Sequence, residues 1–164
     1  MENRACCTCQ KPKANFKCGI CQIPVCKNCV LYLEDDAFSF LAEIPPDLAH
    51  KTYCPSCFDQ KVSPEMHCYN EIMERAKLVT VFFIDQGKAT RLMNRNEKTI
   101  QVKDCNDKRD TLMRLAFFAA KANFNALIDA DITAVKKRIN SYQTSVWHGS
   151  ATPLNLNEAQ LRYK

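Results

Sequence analysis

Four Cys-x-x-Cys pairs in the first 57 residues constrain this chain more than any other feature of its sequence. The pairs are Cys6 and Cys9, Cys18 and Cys21, Cys26 and Cys29, and Cys54 and Cys57. A two-residue gap lets a tight turn present two sulfur atoms to one metal ion, and two such turns complete a tetrahedral site. The spacing therefore predicts two structural Zn²⁺ ions, each held by four thiolates.

The spacing between the pairs bears on which thiols share an ion. Sequential pairing would join the first pair to the second and the third to the fourth. Interleaved pairing would form site 1 from Cys6, Cys9, Cys26 and Cys29, and site 2 from Cys18, Cys21, Cys54 and Cys57. Only four residues separate the second pair from the third. That is too few for a linker between separate clusters but suits a strand turn shared by two sites, so the spacing favours interleaving.

Residues 6–57 resemble the FYVE and PHD cross-brace zinc fingers. Their pattern is C-x2-C, a variable loop, C-x2-C-x4-C-x2-C, a second variable loop and a last C-x2-C. The resemblance implies a small treble-clef or cross-brace module organised by two zinc ions. RING fingers fit less well, because their third to fifth ligands are spaced differently.

The segments that give these families their ligands differ in this chain. FYVE domains that bind phosphatidylinositol 3-phosphate carry a basic R-x-H-H-C-R segment around the fifth cysteine, whereas residues 22–27 contain one cation, Lys27. A phosphate headgroup needs several donors and positive charge. PHD fingers have histidine as the fifth ligand, where this chain has Cys26. The resemblance therefore predicts the scaffold, without a lipid or histone ligand.

Five further side chains could ligate metal but lie outside the four turns. They are Cys7, His50, His67, Cys68 and Cys105. We expect ordinary surface or core roles for them, because none belongs to a Cys-x-x-Cys turn.

The loop between Cys29 and Cys54 carries apolar residues beside an acidic run. Asp36 could cap a short helix over 37–43, which Pro45 and Pro46 would end. This segment would be either a recognition helix for a partner or a lid that completes the core of a small module.

Charge and composition narrow the classes of partner and activity. The formal charge is +5, but two Zn²⁺ bound by eight thiolates would leave about +1. The densest basic cluster, residues 136–138, predicts a solvated strand end or turn, so nucleic acid is not an expected partner. Three glycines are too few for a nucleotide-binding loop. Four-thiolate sites leave no position for an activated water, so we expect no enzyme.

The location of the chain is predicted from what precedes the first cysteine pair. No apolar run lies before Cys6, so the sequence predicts no signal peptide. The longest apolar stretches, near residues 78–84 and 115–120, are too short to span a bilayer. We therefore expect a reducing, cytoplasmic compartment, where cysteine pairs favour metal over disulfides.

The second half of the chain alternates helical and strand patterns, which predicts an α+β protein overall. The predicted elements are a helix over 64–77 capped by Ser63, strands over 78–84, 89–95 and 99–103, a helix over 110–123, and a hairpin of strands 126–135 and 141–152 that turns near Asn140. The predicted domains are the zinc module 1–62, a connecting helix 63–77, an α/β domain 78–153 with an antiparallel sheet and one main helix, and a loosely held tail 154–164.

The helix over 110–123 has two apolar stripes, and the second would contact the zinc module, its own domain or another subunit. From this helix to Ala151 the chain resembles the YbjQ-type heavy-metal-binding family of bacterial proteins. The shared features are helix, Asn123-Phe124-Asn125-Ala126-Leu127-Ile128, strand, and a final strand near Gly149-Ser150-Ala151. The family has glycine where this chain has Asn123, so we expect a left-handed helix end there. The resemblance implies a small α/β fold that forms a homo-oligomer.

These features favour a non-enzymatic, zinc-binding adaptor that binds protein partners and oligomerises through its second half. One alternative is a phosphoinositide-binding or RING-like ubiquitin-ligase-type finger, which rests on fold analogy. Another is a metal-sensing or storage protein that uses the surplus thiols.

Overall fold

The computed structural model describes residues 5–161 and confirms the α+β class, with helices, small antiparallel sheets and one mixed sheet. The described chain divides into two compact units, the first ending at Asn70 and the second beginning at Glu71. Among residues 5–161, no helix combines the length and apolar character needed to cross a bilayer.

Four two-residue strands frame the cysteine turns of the first unit. They form two antiparallel pairs, β1 (Phe16–Lys17) with β2 (Pro24–Val25) and β3 (Leu31–Tyr32) with β4 (Thr52–Tyr53). Three of these strands, β1, β2 and β4, end on the residue just before a cysteine pair. The strand pairing therefore fixes where these three pairs enter their clusters.

A continuous helical segment follows β4. It comprises α1 (Pro55–Cys57), a π-helical turn (Phe58–Val62) and α2 (Ser63–Lys77). The predicted helix over 64–77 is confirmed as α2, but Ser63 is not an N-cap, because the helical segment begins at Pro55 with Cys54 as its N-cap. Proline suits the first helical position, and the Cys54 Sγ accepts the N–H of Cys57 at 3.4 Å.

The loop between β3 and β4 packs as a lid and forms no helix over 37–43. Its residues form turns, with a left-handed φ of 61° at Phe38, followed by a 3₁₀ turn at Pro46–Leu48. Phe38 and Leu48 are buried with Tyr53 and Val62 in one apolar cluster. The Phe38 ring also meets Tyr69 edge-on, with centroids 5.2 Å apart. The loop thus completes the core of the small unit.

The second unit is a four-stranded sheet covered on one face by a helix. The strand order is β5 (Thr80–Phe83), β7 (Ala126–Ile139), β8 (Tyr142–Leu154) and β6 (Ile100–Cys105), and α4 is Lys108–Lys121. The β7–β8 and β8–β6 pairs are antiparallel, but β5 is parallel to β7. The predicted antiparallel sheet is therefore mixed, because the chain reaches β7 from β5 through a long crossover that includes α4.

Gly149 in β8 sets how closely α4 approaches the sheet. A β-carbon at this position would come within 2.5 Å of the Thr111 side chain and 3.0 Å of Leu115. The absence of a side chain there allows both helix residues to be completely buried. Two predicted features of the second unit are confirmed. They are the left-handed helix end at Asn123 (φ 63°) and the hairpin turn at Asn140 (φ 55°).

Residues 89–95 do not form the predicted strand. Ile84–Gln86 is a 3₁₀ turn and Gly87–Thr90 is the short helix α3. Arg95 holds the segment that follows, because its guanidinium donates to both carboxylate oxygens of Asp129 at 2.6 and 3.0 Å. It also donates to the carbonyls of Thr90 and Met93, each at 3.1 Å.

The start of the C-terminal tail is packed rather than loose. Leu154 and Leu156 are buried with Ala126 and Ile128 in an apolar cluster. The Asn125 side chain donates to the Leu156 carbonyl and accepts its N–H, both at 2.8 Å. A short helix, α5 (Glu158–Leu161), follows. The prediction of a loosely held tail is thus wrong for residues 154–156.

Candidate metal centre

Eight thiols of the first unit lie in two groups of four. Within each group the Sγ atoms all lie within 4.8 Å of one another. The groups are Cys6, Cys9, Cys26 and Cys29 (site 1), and Cys18, Cys21, Cys54 and Cys57 (site 2). The structure therefore interleaves the four pairs and rules out sequential pairing.

The sulfur spacing fits a tetrahedral metal ion. A zinc–sulfur bond of about 2.3 Å puts the corners of a tetrahedron about 3.8 Å apart. The Sγ atoms of Cys9 and Cys26 are 3.6 Å apart at site 1, and those of Cys21 and Cys54 are 3.8 Å apart at site 2. All eleven cysteines are free thiols, so no disulfide competes. Both groups fit structural metal ions, and four sulfur ligands make zinc the plausible one.

The first pair of each site sits in the same kind of turn. At site 1, the Cys6 N–H donates to the Lys11 carbonyl and the Gln10 N–H to the Cys6 carbonyl, both at 3.0 Å. At site 2, the Cys18 N–H donates to the Ile23 carbonyl at 3.1 Å and the Gln22 N–H to the Cys18 carbonyl at 3.0 Å. Each site therefore receives two of its sulfurs from one repeated backbone turn.

The residue after each of these pairs has a left-handed backbone. Gln10 and Gln22 both have a φ of 59°, a region that favours glycine. Gln22 offsets part of that cost, since its Nε2 donates to the Gly19 carbonyl at 2.7 Å. Sequence reasoning missed both residues, although the repeat of Cys-x-x-Cys-Gln at 6–10 and 18–22 is a signal that could have identified them.

The second pair of each site is presented by a helical turn instead. The N–H groups of Cys29 and Val30 both donate to the Cys26 carbonyl at 3.0 Å. At site 2, Cys54 caps α1 and Cys57 lies in it. Each cluster thus combines one hairpin turn with one helical turn, which gives four sulfurs from two rigid elements.

At site 1, hydrogen bonding lowers the pKa of one thiol and raises the pKa of another. Backbone hydrogen bonds from Cys9 and Cys26 lower the pKa of Cys6 to about 5. Hydrogen bonds with the thiols of Cys26 and Cys9 raise the pKa of Cys29 to about 12. Four adjacent thiolates repel one another, so a bound dication is needed to ionise the whole set.

At site 2, one thiol likewise has a lowered pKa and two have raised pKa values. Burial raises the pKa of Cys18, but backbone hydrogen bonds from Cys54 and Cys21 outweigh it and lower the pKa to about 6. Burial is the main reason why the pKa values of Cys21 and Cys57 are raised. A metal ion at either site would therefore displace protons from the less acidic thiols.

The surplus candidate ligands belong to neither group. Cys7 lies beside Thr8, with its Sγ 3.6 Å from the hydroxyl oxygen, and His67 and Cys68 are exposed. Cys105 is buried in the second unit. Among residues 5–161, the two four-thiol groups are the clusters of three or more His, Cys, Asp or Glu that could hold a metal ion.

His50 is a packing residue beside site 2. It is half-buried, its N–H donates to the Tyr53 hydroxyl at 3.1 Å, and the two rings meet edge-on. A β-carbon at Gly19 would overlap the His50 side chain. The turn that carries Cys18 and Cys21 therefore needs glycine at position 19, a role that the sequence pattern did not reveal.

No protein-family model, curated protein or solved structure matches this chain. The thiol clusters agree with a zinc-finger-like module. The resemblances to the FYVE/PHD and YbjQ-type families stay predictions.

Proposed function

We propose that this protein is a zinc-binding, non-enzymatic interaction protein of a reducing, cytoplasmic compartment. The observation that carries the proposal is the pair of closed four-thiol clusters. Each cluster supplies every ligand of a tetrahedral ion, so a bound zinc would hold the fold and keep no position for a substrate or activated water.

The module would act through the surface that its two ions hold in place. Ile23, in the turn of site 2, is 47% exposed, and Tyr32, on β3, is 57% exposed. The Tyr32 ring contacts the Phe16 ring edge-on, with ring centroids 6.1 Å apart. Exposed apolar and aromatic side chains on a rigid scaffold are typical of protein–protein contacts. A protein partner is therefore the proposed ligand of the first unit.

Self-association of the second unit would bring several copies of the zinc module together in one assembly. It leaves Leu78 and Leu92 exposed, at 81% and 98%, and large exposed apolar residues are common in subunit contacts. Linked copies of a weak binding module bind together far more tightly than one copy. This part of the proposal retains the YbjQ-like expectation of a homo-oligomer.

Native mass spectrometry of the purified full chain tests the metal claim. We expect two zinc ions per chain, one after Cys26→Ser and one after Cys54→Ser, since each change removes a ligand from a different cluster. Cys68→Ser is the matched control, because it removes an exposed thiol outside both clusters. A preparation without metal would contradict the proposal, and more than two ions under excess zinc would favour metal storage.

Light scattering after size-exclusion chromatography of the same full chain tests self-association. We expect a molar mass equal to that of two or more chains. Once both sites are filled, additional zinc should change this mass little. A monomer at every protein concentration would contradict the self-association part of the proposal. It would not contradict the proposed zinc binding by the first unit.

A further inference from the structure

The two longest strands extend well beyond their neighbours in the sheet. β5 pairs with β7 only as far as Ala130, and β6 pairs with β8 no further than Trp147. Beyond these points Val135 pairs with Val146, and the ribbon continues to the turn at Asn140 and Ser141. Residues 135–146, here called the arm, therefore form a two-stranded ribbon with two open edges, roughly 17 Å long at about 3.4 Å per residue.

The arm carries charge of one sign. Lys136, Lys137 and Arg138 lie on one strand, directly across from Ser145, Thr144 and Gln143 on the other. Opposite charges across the strands would stabilise such a ribbon, but from residue 132 to residue 157 the chain has no acidic residue. The balancing charge for this ribbon must therefore come from elsewhere.

Only one of the three cations has such a partner within the described residues. Lys137 forms an ion pair with Asp104 at 2.9 Å, with both side chains about half exposed. Lys136 and Arg138 are exposed and, within residues 5–161, form no ion pair. Because side chains alternate along a strand, these two lie on the same face of the arm. Within the described part of the chain, that face presents two unpaired cations beside a row of neutral hydrogen-bonding side chains.

The rest of the arm suits a phosphate backbone better than a membrane or a strand partner. Of the hydrogen-bonding side chains, Gln143 and Ser145 share the face of the two unpaired cations, and amide and hydroxyl groups commonly contact phosphate oxygens. The turn at Asn140 and Ser141 is polar, and the one exposed ring beside it, Tyr142 at 80%, offers little apolar area for insertion into a bilayer. Lysine on an open edge also discourages pairing with another strand.

We propose that the arm binds the phosphate backbone of a B-form DNA duplex, whose major groove, about 12 Å wide, admits a two-stranded ribbon. Lys136 and Arg138 contact phosphates, together with Gln143 and Ser145, which lie directly across from them on the same face of the arm. From sequence alone the cluster predicted a solvated strand end, because the sequence does not show that it lies on an open ribbon without acidic neighbours. The proposal goes beyond the zinc-dependent function and does not require it.

Fluorescence anisotropy of the full zinc-loaded chain with labelled random-sequence DNA and RNA duplexes of about 20 base pairs tests the proposal. The test variant is Lys136→Ser with Arg138→Gln, which leaves the Lys137–Asp104 pair in place. The matched control is Lys88→Ser with Arg91→Gln, which removes the same charges from exposed positions elsewhere in the unit. Circular dichroism should show both variants folded, since all four side chains are exposed.

We expect the native protein to bind the DNA duplex in a salt-dependent manner, and to bind it more tightly than the RNA duplex, whose major groove is too deep and narrow for the arm. The arm variant should bind at least about tenfold more weakly, and the slope of log affinity against log salt should fall by about 2, one for each phosphate that the variant no longer neutralises. The control should change affinity by less than about twofold. Equal weakening in the two variants, or no binding by native protein, would overturn the proposal. So would tighter arm-dependent binding to anionic vesicles, which would indicate a membrane instead.

Discussion

Gly19 occupies a position at which a β-carbon has no room. Its neighbour is the side chain of His50, which is held in turn by Tyr53. We predict that Gly19→Ala displaces the Cys18–Cys21 turn and destabilises the zinc-loaded first unit by about 1–3 kcal/mol, the usual range for overpacking. Thermal unfolding would measure the loss of stability. Zinc transfer to a chromophoric chelator would measure the effect on the site, and we expect one of the two ions to be released faster than in the native protein.

The clash itself can be tested with two further variants. Gly19→Ala combined with His50→Ala should recover most of the lost stability, because the second change removes the overlapping side chain. Gly87→Ala is the matched control, since nothing lies within 4 Å of a β-carbon there. If Gly19→Ala were as harmless as Gly87→Ala, the packing role of His50 would be wrong.

Single residues were predictable where local chemistry decides them. The spacing favoured the interleaved thiol groups over sequential ones, because a four-residue gap does not easily serve as a linker between two clusters. The left-handed end at Asn123 follows from the conformational tolerance of asparagine. Gln10 and Gln22 have the same conformation but no such tolerance, so only the three-dimensional turn around the thiols explains them.

Elements were predictable where periodicity and turn residues agree. The β7–β8 hairpin and α4 have both signals, and the structure contains both elements. The failures are segments whose conformation is set by distant contacts. Residues 37–43 pack Phe38 inward as a lid. The segment 89–95 has the apolar content of a strand but is held in place by the side chain of Arg95, which sequence patterns do not reveal.

The contacts of Arg95 predict how one substitution changes the stability of a whole segment. We expect Arg95→Lys to loosen residues 84–95, because lysine cannot reproduce the fork that joins Asp129 to the carbonyls of Thr90 and Met93. Hydrogen exchange at the Met93 amide, which bonds to the Thr90 carbonyl, should accelerate severalfold, while β7 and β8 keep their protection.

Arg91→Lys is the control for this change, since Arg91 is exposed and should leave exchange at Met93 unaltered. Unchanged exchange in Arg95→Lys would show that the apolar contacts of Phe82 and Met93 hold the segment without the guanidinium. Loss of protection throughout the sheet would show instead that Arg95 supports the whole unit.

For the whole molecule, the two units differ in what their cores are made of. In the first unit, four of the six buried residues in one core cluster are themselves candidate ligands, Cys6, Cys18, Cys26 and Cys54. In the second unit the core is aliphatic and aromatic, with Leu115, Phe117, Leu127 and Ile128 completely buried. We therefore expect the first unit to depend on metal for its stability, and the second to be independent of it.

Removal of the metal by a chelator should unfold the first unit and leave the second unit folded. A structural zinc ion contributes about 10–16 kcal/mol to the folding of a small zinc module, so two ions together would contribute more than the net stability of a typical domain, about 5–15 kcal/mol. We predict that a strong chelator with a reducing agent removes amide protection from residues 6–57 and leaves it in α4, β7 and β8. Hydrogen exchange read by mass spectrometry resolves both regions in one experiment, and added zinc should restore the first. Protection that persists in residues 6–57 after complete metal removal would mean that the lid cluster around Phe38 and Tyr53 suffices to fold the module. In that case the thiols would not be the basis of its architecture.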